Sequence, residues 1–107
     1  MLAEGVFQRQ AMGKVHLYTP PWLAESLGIE KASEEDIEGD ISVRDLLNRL
    51  CARHQRFGRI VFDVDTQRLT GRVAIFFNGG VLELANGLES RLGDGDSLTF
   101  VTQIEGG

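Results

Sequence analysis

The chain has a single cysteine, Cys51, among its 107 residues. An internal disulfide is excluded, and a reducing compartment fits, so the expected location is cytoplasmic. Long apolar runs are missing, so no segment is read as spanning a bilayer. Met1-Leu2-Ala3-Glu4-Gly5-Val6-Phe7 lacks a basic opening and an apolar core, so no secretory signal is expected. A phosphate-cradling glycine loop is also missing, and no ATP site is expected on this chain. Basic charge is scarce: 11 Lys and Arg face 16 Asp and Glu, for a net charge of −5. Nucleic acid is thereby a poor partner, because neutralising phosphates needs a basic surface. Histidine is limited to His16 and His54. Cys51 and His54 have the i, i+3 spacing of a helical half-site, but no second pair accompanies them. No metal and no bound cofactor are expected.

What is present fits one α+β domain. The length matches a typical domain and suffices to bury roughly two-thirds of the unfolded surface. Lys14-Val15-His16-Leu17-Tyr18-Thr19 alternates with period two and reads as the first strand. Residues 1–13 before it read as a flexible lead-in. Pro20-Pro21 ends the strand, and Pro21 to Leu27 forms a short helical turn closed by Gly28. Trp22 reads as a lid over the helix end. Glu30, Glu34, Glu35, Asp36, Glu38 and Asp40 crowd one segment, read as a solvated loop with a short strand around Asp36 to Ile41.

Ser42 to His54 is the clearest element. Ser42 caps it and Asp45 completes a near capping box. Val43, Leu46, Leu47, Leu50, Cys51 and His54 make one apolar stripe, which needs a flat apolar partner such as a sheet. Gly58 is the expected stop. Arg49, Arg53, Arg56 and Arg59 form a basic row suited to pairing with the acidic segment. Arg59 to Asp63 reads as a strand or connector. Arg72 to Phe77 is a strand buried on much of both faces, Asn78-Gly79-Gly80 a tight turn, and Val81 to Leu84 the returning strand. Leu88 to Leu92 is a connector. Asp94-Gly95-Asp96 turns the chain into a last strand, Ser97 to Gln103. First and last strands pair in parallel at the sheet centre, the helix belonging to the crossover.

The sequence closes on Gly106-Gly107. A terminal carboxylate, with an ordinary pKa of about 3.5, is ionised at neutral pH and is a nucleophile without a general base. Glycines without Cβ atoms let a partner enclose such a tail in a narrow channel.

Five pieces in order resemble the ubiquitin-like β-grasp sulfur carriers, the family of the molybdopterin-synthase small subunit and the thiamine-biosynthesis carrier. They are Lys14-Val15-His16-Leu17-Tyr18, Ser42-Val43-Arg44-Asp45-Leu46-Leu47, Val73-Ala74-Ile75-Phe76-Phe77-Asn78-Gly79, Leu92-Gly93-Asp94-Gly95-Asp96-Ser97-Leu98 and the diglycine tail. The resemblance covers roughly residues 14–107. It implies a β-grasp domain with a mixed sheet of four or five strands, one main helix across it, and an extended tail from about Gln103. It implies that a ubiquitin-activating-type adenylyltransferase spends ATP to adenylate Gly107, and that a sulfur donor converts the adenylate to a thiocarboxylate. The sulfur then passes onward in the synthesis of molybdopterin or a related cofactor such as thiamine. Gly107 and Gly106 would carry the chemistry. Tyr18, Val81 and Val101 would form the docking face, with Gln103, Ile104 and Glu105 entering the partner. A sulfurtransferase and a large synthase subunit are the further partners implied, and the chain would be a carrier or small non-catalytic subunit rather than an enzyme. A protein modifier forming isopeptide bonds and a non-catalytic interaction domain fit the same residues.

Strand parity agrees with that face. If Leu98 and Phe100 meet the helix, Val101 points away from it; if Val15 and Leu17 point inward, His16 and Tyr18 point out. Many relatives carry prolines before the glycines, where this chain has Thr102-Gln103-Ile104-Glu105.

Overall fold

A computed structural model describes residues 12–82 and 85–102. The strands are β1 (Met12–Tyr18), β2 (Ala32–Glu38), β3 (Ile41–Ser42), β4 (Phe62–Asp63), β5 (Arg68–Leu69), β6 (Val73–Phe77), β7 (Gly80–Val81), β8 (Arg91–Leu92) and β9 (Ser97–Thr102). The α-helices among the described residues are α1 (Pro21–Leu27), α2 (Val43–Arg53) and α3 (Phe57–Ile60). The main sheet has five strands in the order β2-β1-β9-β6-β7. β1 and β9 pair in parallel at its centre, with Leu17 opposite Leu98, and the other pairs are antiparallel. Two short ribbons, β3 with β8 and β4 with β5, complete the strands among the described residues. This is the ubiquitin-like β-grasp arrangement.

α2 forms where the sequence demands it. The Ser42 hydroxyl accepts from the Asp45 N–H at 3.0 Å, and the Asp45 carboxylate accepts from the Ser42 N–H at 3.3 Å. That reciprocal capping box satisfies two donors left over at the helix start. Val43, Leu46, Leu47 and Leu50 are at most 2% exposed against the sheet. Each such side chain contributes about 1.5–3 kcal/mol by leaving water. From the sheet come Val15, Leu17, Ile75, Leu98 and Phe100, and Phe57 meets Phe100 edge to face with ring centres 5.5 Å apart.

Several expectations are corrected. β1 starts at Met12, so Met12 and Gly13 belong to the sheet rather than to a lead-in; residues 1–11 lie outside the described residues. The acidic segment is not a loop but β2, ending at Glu38 rather than running from Asp36 to Ile41. Its inner positions are Ser33, Glu35 and Ile37, and the inward carboxylate of Glu35 is paired with Arg53 and Arg49 from α2. Two guanidiniums thus allow a charge where parity asks for an apolar residue. Arg56 donates to the Ser26 carbonyl, so much of the basic row is spent on internal contacts.

Trp22 is not a core lid; it is 55% exposed, because Leu23, Ala24 and Leu27 occupy the inner side of α1. α2 ends at Arg53 with His54 as its cap, and Gly58 lies inside α3. Arg59 to Asp63 is no single strand: it divides between the end of α3 and β4. The expected return strand from Val81 is limited to Gly80–Val81, residues 83–84 being outside the described set. Arg91–Leu92, expected in a connector, pairs with β3.

Candidate functional site

β9 decides which side chains face the helix and which do not. Leu98 and Phe100 are fully buried under α2, and the intervening Thr99 and Val101 stand on the opposite, outer face, each half-buried. β1 has the same alternation, with Val15 and Leu17 inward and His16 and Tyr18 outward. In β6, Val73 and Ile75 are inward and Ala74 and Phe76 outward. Register then assembles one row across four strands. Tyr18 lies opposite Thr99, Thr99 opposite Phe76, and Phe76 opposite Val81. Directly opposed residues share a face at about 4.5–5.5 Å between Cβ atoms. Val101 and Ala74 form the next row toward the end of β9. Tyr18 is 45% exposed and Val81 39%. The structure therefore brings Tyr18, Val81 and Val101 onto one surface.

Phe76 is the member that sequence reasoning missed. An unbroken apolar run, Val73 to Phe77, reads as burial on both faces and hides which residues point out. The signal was there in the pairing with Val81: a two-residue hairpin fixes the parity of β6 once Val81 is placed outside. That hairpin is built by Asn78 and Gly79, with φ of 51° and 88°, a left-handed pair that asparagine and glycine tolerate. The Asn78 side chain accepts from the Ser97 N–H at 2.8 Å and donates to Asp96 at 3.1 Å. The hairpin is thus locked to the start of β9, which holds Phe76 and Val81 in line with Thr99.

The turn before β9 fastens its other neighbour. The Asp94 carboxylate accepts from the Lys14 N–H at 2.9 Å, and the Gly95 N–H donates to the Lys14 carbonyl at 2.9 Å. Asp96 accepts from the Gly93 N–H at 2.8 Å. Both carboxylates therefore serve the backbone. Beside them Lys14 and Asp36 form an exposed pair at 2.7 Å. The Asp36 hydrogen bond and charge hold the Lys14 ammonium above its ordinary pKa, and Lys14 holds the Asp36 carboxyl below its own.

Cys51 and His54 make no site together. The Cys51 thiol donates to the Phe62 carbonyl at 3.5 Å, and partial burial pushes its pKa up, away from a reactive thiolate. β9 is described to Thr102, opposite Val73 at the edge of the apolar surface. Gln103, Ile104, Glu105, Gly106 and Gly107, the expected tail, lie outside the described residues. Among the described residues no helix is long and apolar enough to cross a membrane.

The model of the ThiS family matches residues 21–107. No curated protein matches the chain. Among solved structures, SAMP1 from Haloferax volcanii is 26% identical, with a TM-score of 0.70 over 89% of this chain and 100% of that one. A chain of the Amycolatopsis orientalis BexX/CysO complex is 25% identical, with a TM-score of 0.67 over 87% of this chain and 99% of that one. Urm1 from Trypanosoma brucei is 19% identical, with a TM-score of 0.64 over 90% of this chain and 97% of that one, a likeness of fold alone.

Proposed function

The chain belongs to the ThiS family, and we propose that within this family of ubiquitin-like sulfur carriers it delivers sulfur from a thiocarboxylate on Gly107. The reading requires Gly107 to bear the free carboxylate. A carboxylate oxygen attacks the α-phosphorus of ATP held by a ubiquitin-activating-type adenylyltransferase. The bond between the α- and β-phosphates breaks, pyrophosphate leaves, and an acyl-adenylate remains. Hydrosulfide then attacks the acyl carbon, the carbon–oxygen bond to AMP breaks, and AMP and a proton leave a thiocarboxylate. The partner supplies ATP and the catalytic groups; this chain supplies the terminus and the surface that positions it. Its setting is the cytoplasm, and its sulfur acceptor belongs to molybdopterin, thiamine or related cofactor synthesis, with a large synthase subunit as the receiving partner.

One observation supports this most directly. The outer row of Tyr18, Phe76 and Val81 is built around β9, the strand that leads into the tail. Only three residue steps lead from Thr99, in that row, to Thr102. An enzyme gripping the row therefore holds the base of the tail at a distance of about 10 Å along the strand, at ~3.3 Å per residue. Gln103, Ile104 and Glu105 are the segment that would enter its channel, with Gly106 passing the narrowest point.

Incubation with such an adenylyltransferase, ATP and sulfide, followed by intact-mass measurement, tests the proposal. Replacement of one oxygen by sulfur, localised to Gly107, is expected. Absence of both AMP release and any mass change refutes it. The 26% identity to SAMP1, whose Haloferax volcanii form is called a small archaeal modifier protein, favours a second reading. There the Nζ of a target lysine attacks the adenylate in place of sulfide. Lysine-linked adducts of this chain in cells, without a thiocarboxylate, would select it.

A further inference from the structure

β1 and β9 run in the same direction, so the chain leaves both strands at one end of the sheet. β9 leads there into the tail, and β1 leads into Pro20-Pro21-Trp22 and the start of α1. α1 caps that end of the core: Leu23, Ala24 and Leu27 are buried, and Leu23 and Leu27 join the core cluster. Trp22 is left outside. At 55% it is the most exposed large apolar side chain among the described residues. Its mount is stiff. The rings of Pro20 and Pro21 fix their own φ. The Pro20 carbonyl accepts from the Leu23 N–H at 3.1 Å and from the Ala24 N–H at 2.8 Å, and the Ser26 hydroxyl donates to the Trp22 carbonyl at 3.2 Å. Arg56 donates to the Ser26 carbonyl at 3.1 Å and ties α1 to the residues after α2. The fold thus holds a large aromatic in water on a rigid corner, where more than half of its surface adds nothing to the core.

We infer that Trp22 is a second anchor for the adenylyltransferase, entering an apolar cleft of that enzyme beside the channel that takes the tail. The inference rests on the proposed activation of Gly107 and adds a contact outside the row of Tyr18, Phe76 and Val81. The length of the tail sets the geometry. Five residues follow Thr102, and even fully extended they span at most about 18 Å. The enzyme's nucleotide must therefore come within about 18 Å of Thr102. A protein that encloses both a nucleotide and a peptide tail cannot come so close without covering the end of the sheet. Trp22 stands in that footprint. Tyr18 is opposite Thr99, and the four residue steps from Tyr18 to Trp22 span at most about 14 Å. Tryptophan is among the strongest interface anchors, because it removes a large area from water while fixing only two torsions. The cleft that receives it needs apolar walls and one acceptor for the indole N–H.

Trp22 is the only tryptophan of the chain, so labelling with fluorotryptophan gives a single fluorine resonance. An unlabelled adenylyltransferase that releases pyrophosphate in the presence of the wild-type chain is added to the labelled chain. The resonance is expected to shift and broaden. A resonance unchanged at saturating enzyme overturns the inference. So does one that moves with the concentration of the chain alone, which would give Trp22 to a second copy. The kinetic arm uses Trp22→Ala, whose KM as a substrate is expected to rise about tenfold or more, with kcat held within about twofold. Trp22→Phe, which keeps an aromatic anchor, should recover part of the rise. The control is Val64→Ala. Val64 is 45% exposed, on the turn that Gln67 ties to Arg44 in the first turn of α2. α2 starts beside β8, ahead of the turn into β9, and so at the opposite end of the sheet from the tail. Val64→Ala should match the wild type. A wild-type KM in Trp22→Ala, or an equal rise in Val64→Ala, overturns the inference. The fluorine arm needs no substitution, so it decides even if Trp22→Ala does not fold. If no such enzyme adenylates the wild-type chain, the functional reading fails and this one with it.

Discussion

β9 belongs to two surfaces at once, and one residue step separates them. Leu98 and Phe100 are 0% exposed, while Thr99 and Val101 between them are half open. The inner face is closed by α2, whose stripe of Val43, Leu46, Leu47 and Leu50 covers it. The outer face has no covering element among the described residues, yet it carries Tyr18, Phe76, Val81 and Val101. Side chains of similar chemistry therefore serve stability on one face and remain available on the other. The difference lies in the cover: apolar area contributes to folding only when the fold itself takes it out of water. Apolar area left on a row that spans four strands is available to a partner.

The largest effect should come from the inner face. Phe100→Ala removes the ring that meets Phe57 and leaves a cavity beneath α2. A loss of about 3–5 kcal/mol is expected from chemical denaturation. A loss below about 1 kcal/mol would show that the closed face is less tightly packed than its burial implies. Phe76→Glu, made on the neighbouring strand but the opposite face, should behave inversely. Its stability should shift by about 1 kcal/mol or less, while adenylyltransferase binding weakens about tenfold or more. Calorimetry on the variant, with binding measured on the same sample, separates the two. Failure of that variant to fold would assign Phe76 to the core and merge the two faces.

A smaller effect tests the cover itself. Ser42→Ala removes the hydroxyl half of the capping box, and a loss of about 1 kcal/mol is expected. Partner binding should not change, because α2 closes the inner face only. A weaker partner contact in Ser42→Ala, at a temperature where it is fully folded, would couple faces that the structure keeps apart.

Much of this was legible because the causes are local. Ser42 and Asp45 are three residues apart, and their capping box follows from adjacent chemistry. The Asn78-Gly79 turn follows from the φ values those residues tolerate. The parity of β9 needed only one anchoring assumption, that Leu98 and Phe100 meet the helix. What stayed hidden depends on distant partners. β2 looked like a loop because its inward Glu35 looks misplaced until Arg49 and Arg53 arrive from α2. Phe76 was invisible in a run of apolar residues, since parity has no phase without a polar residue to set it. Trp22 was placed by its size, whereas Leu23, Ala24 and Leu27 decide which side of α1 is buried. The tail was read from the sequence alone, and its role is tested by chemistry rather than by the fold.

The smallest effect concerns the charged end of the outer face, where the comparison of faces gives way to one between paired charges. Asp36 is exposed, and its pKa is lowered from 3.8 by the Lys14 hydrogen bond and then by the Lys14 charge. A carboxyl lowered on folding adds stability above its unfolded pKa and loses it as pH falls through the folded one. The contribution is therefore present at neutral pH and disappears only in acid, below about the 3.8 of the free side chain. Lys14→Met removes both causes. The Asp36 carboxyl, followed by NMR titration, should then move up toward 3.8, and the acid limb of the stability profile should flatten slightly. An unchanged Asp36 titration in Lys14→Met would mean that the pair is not formed in solution.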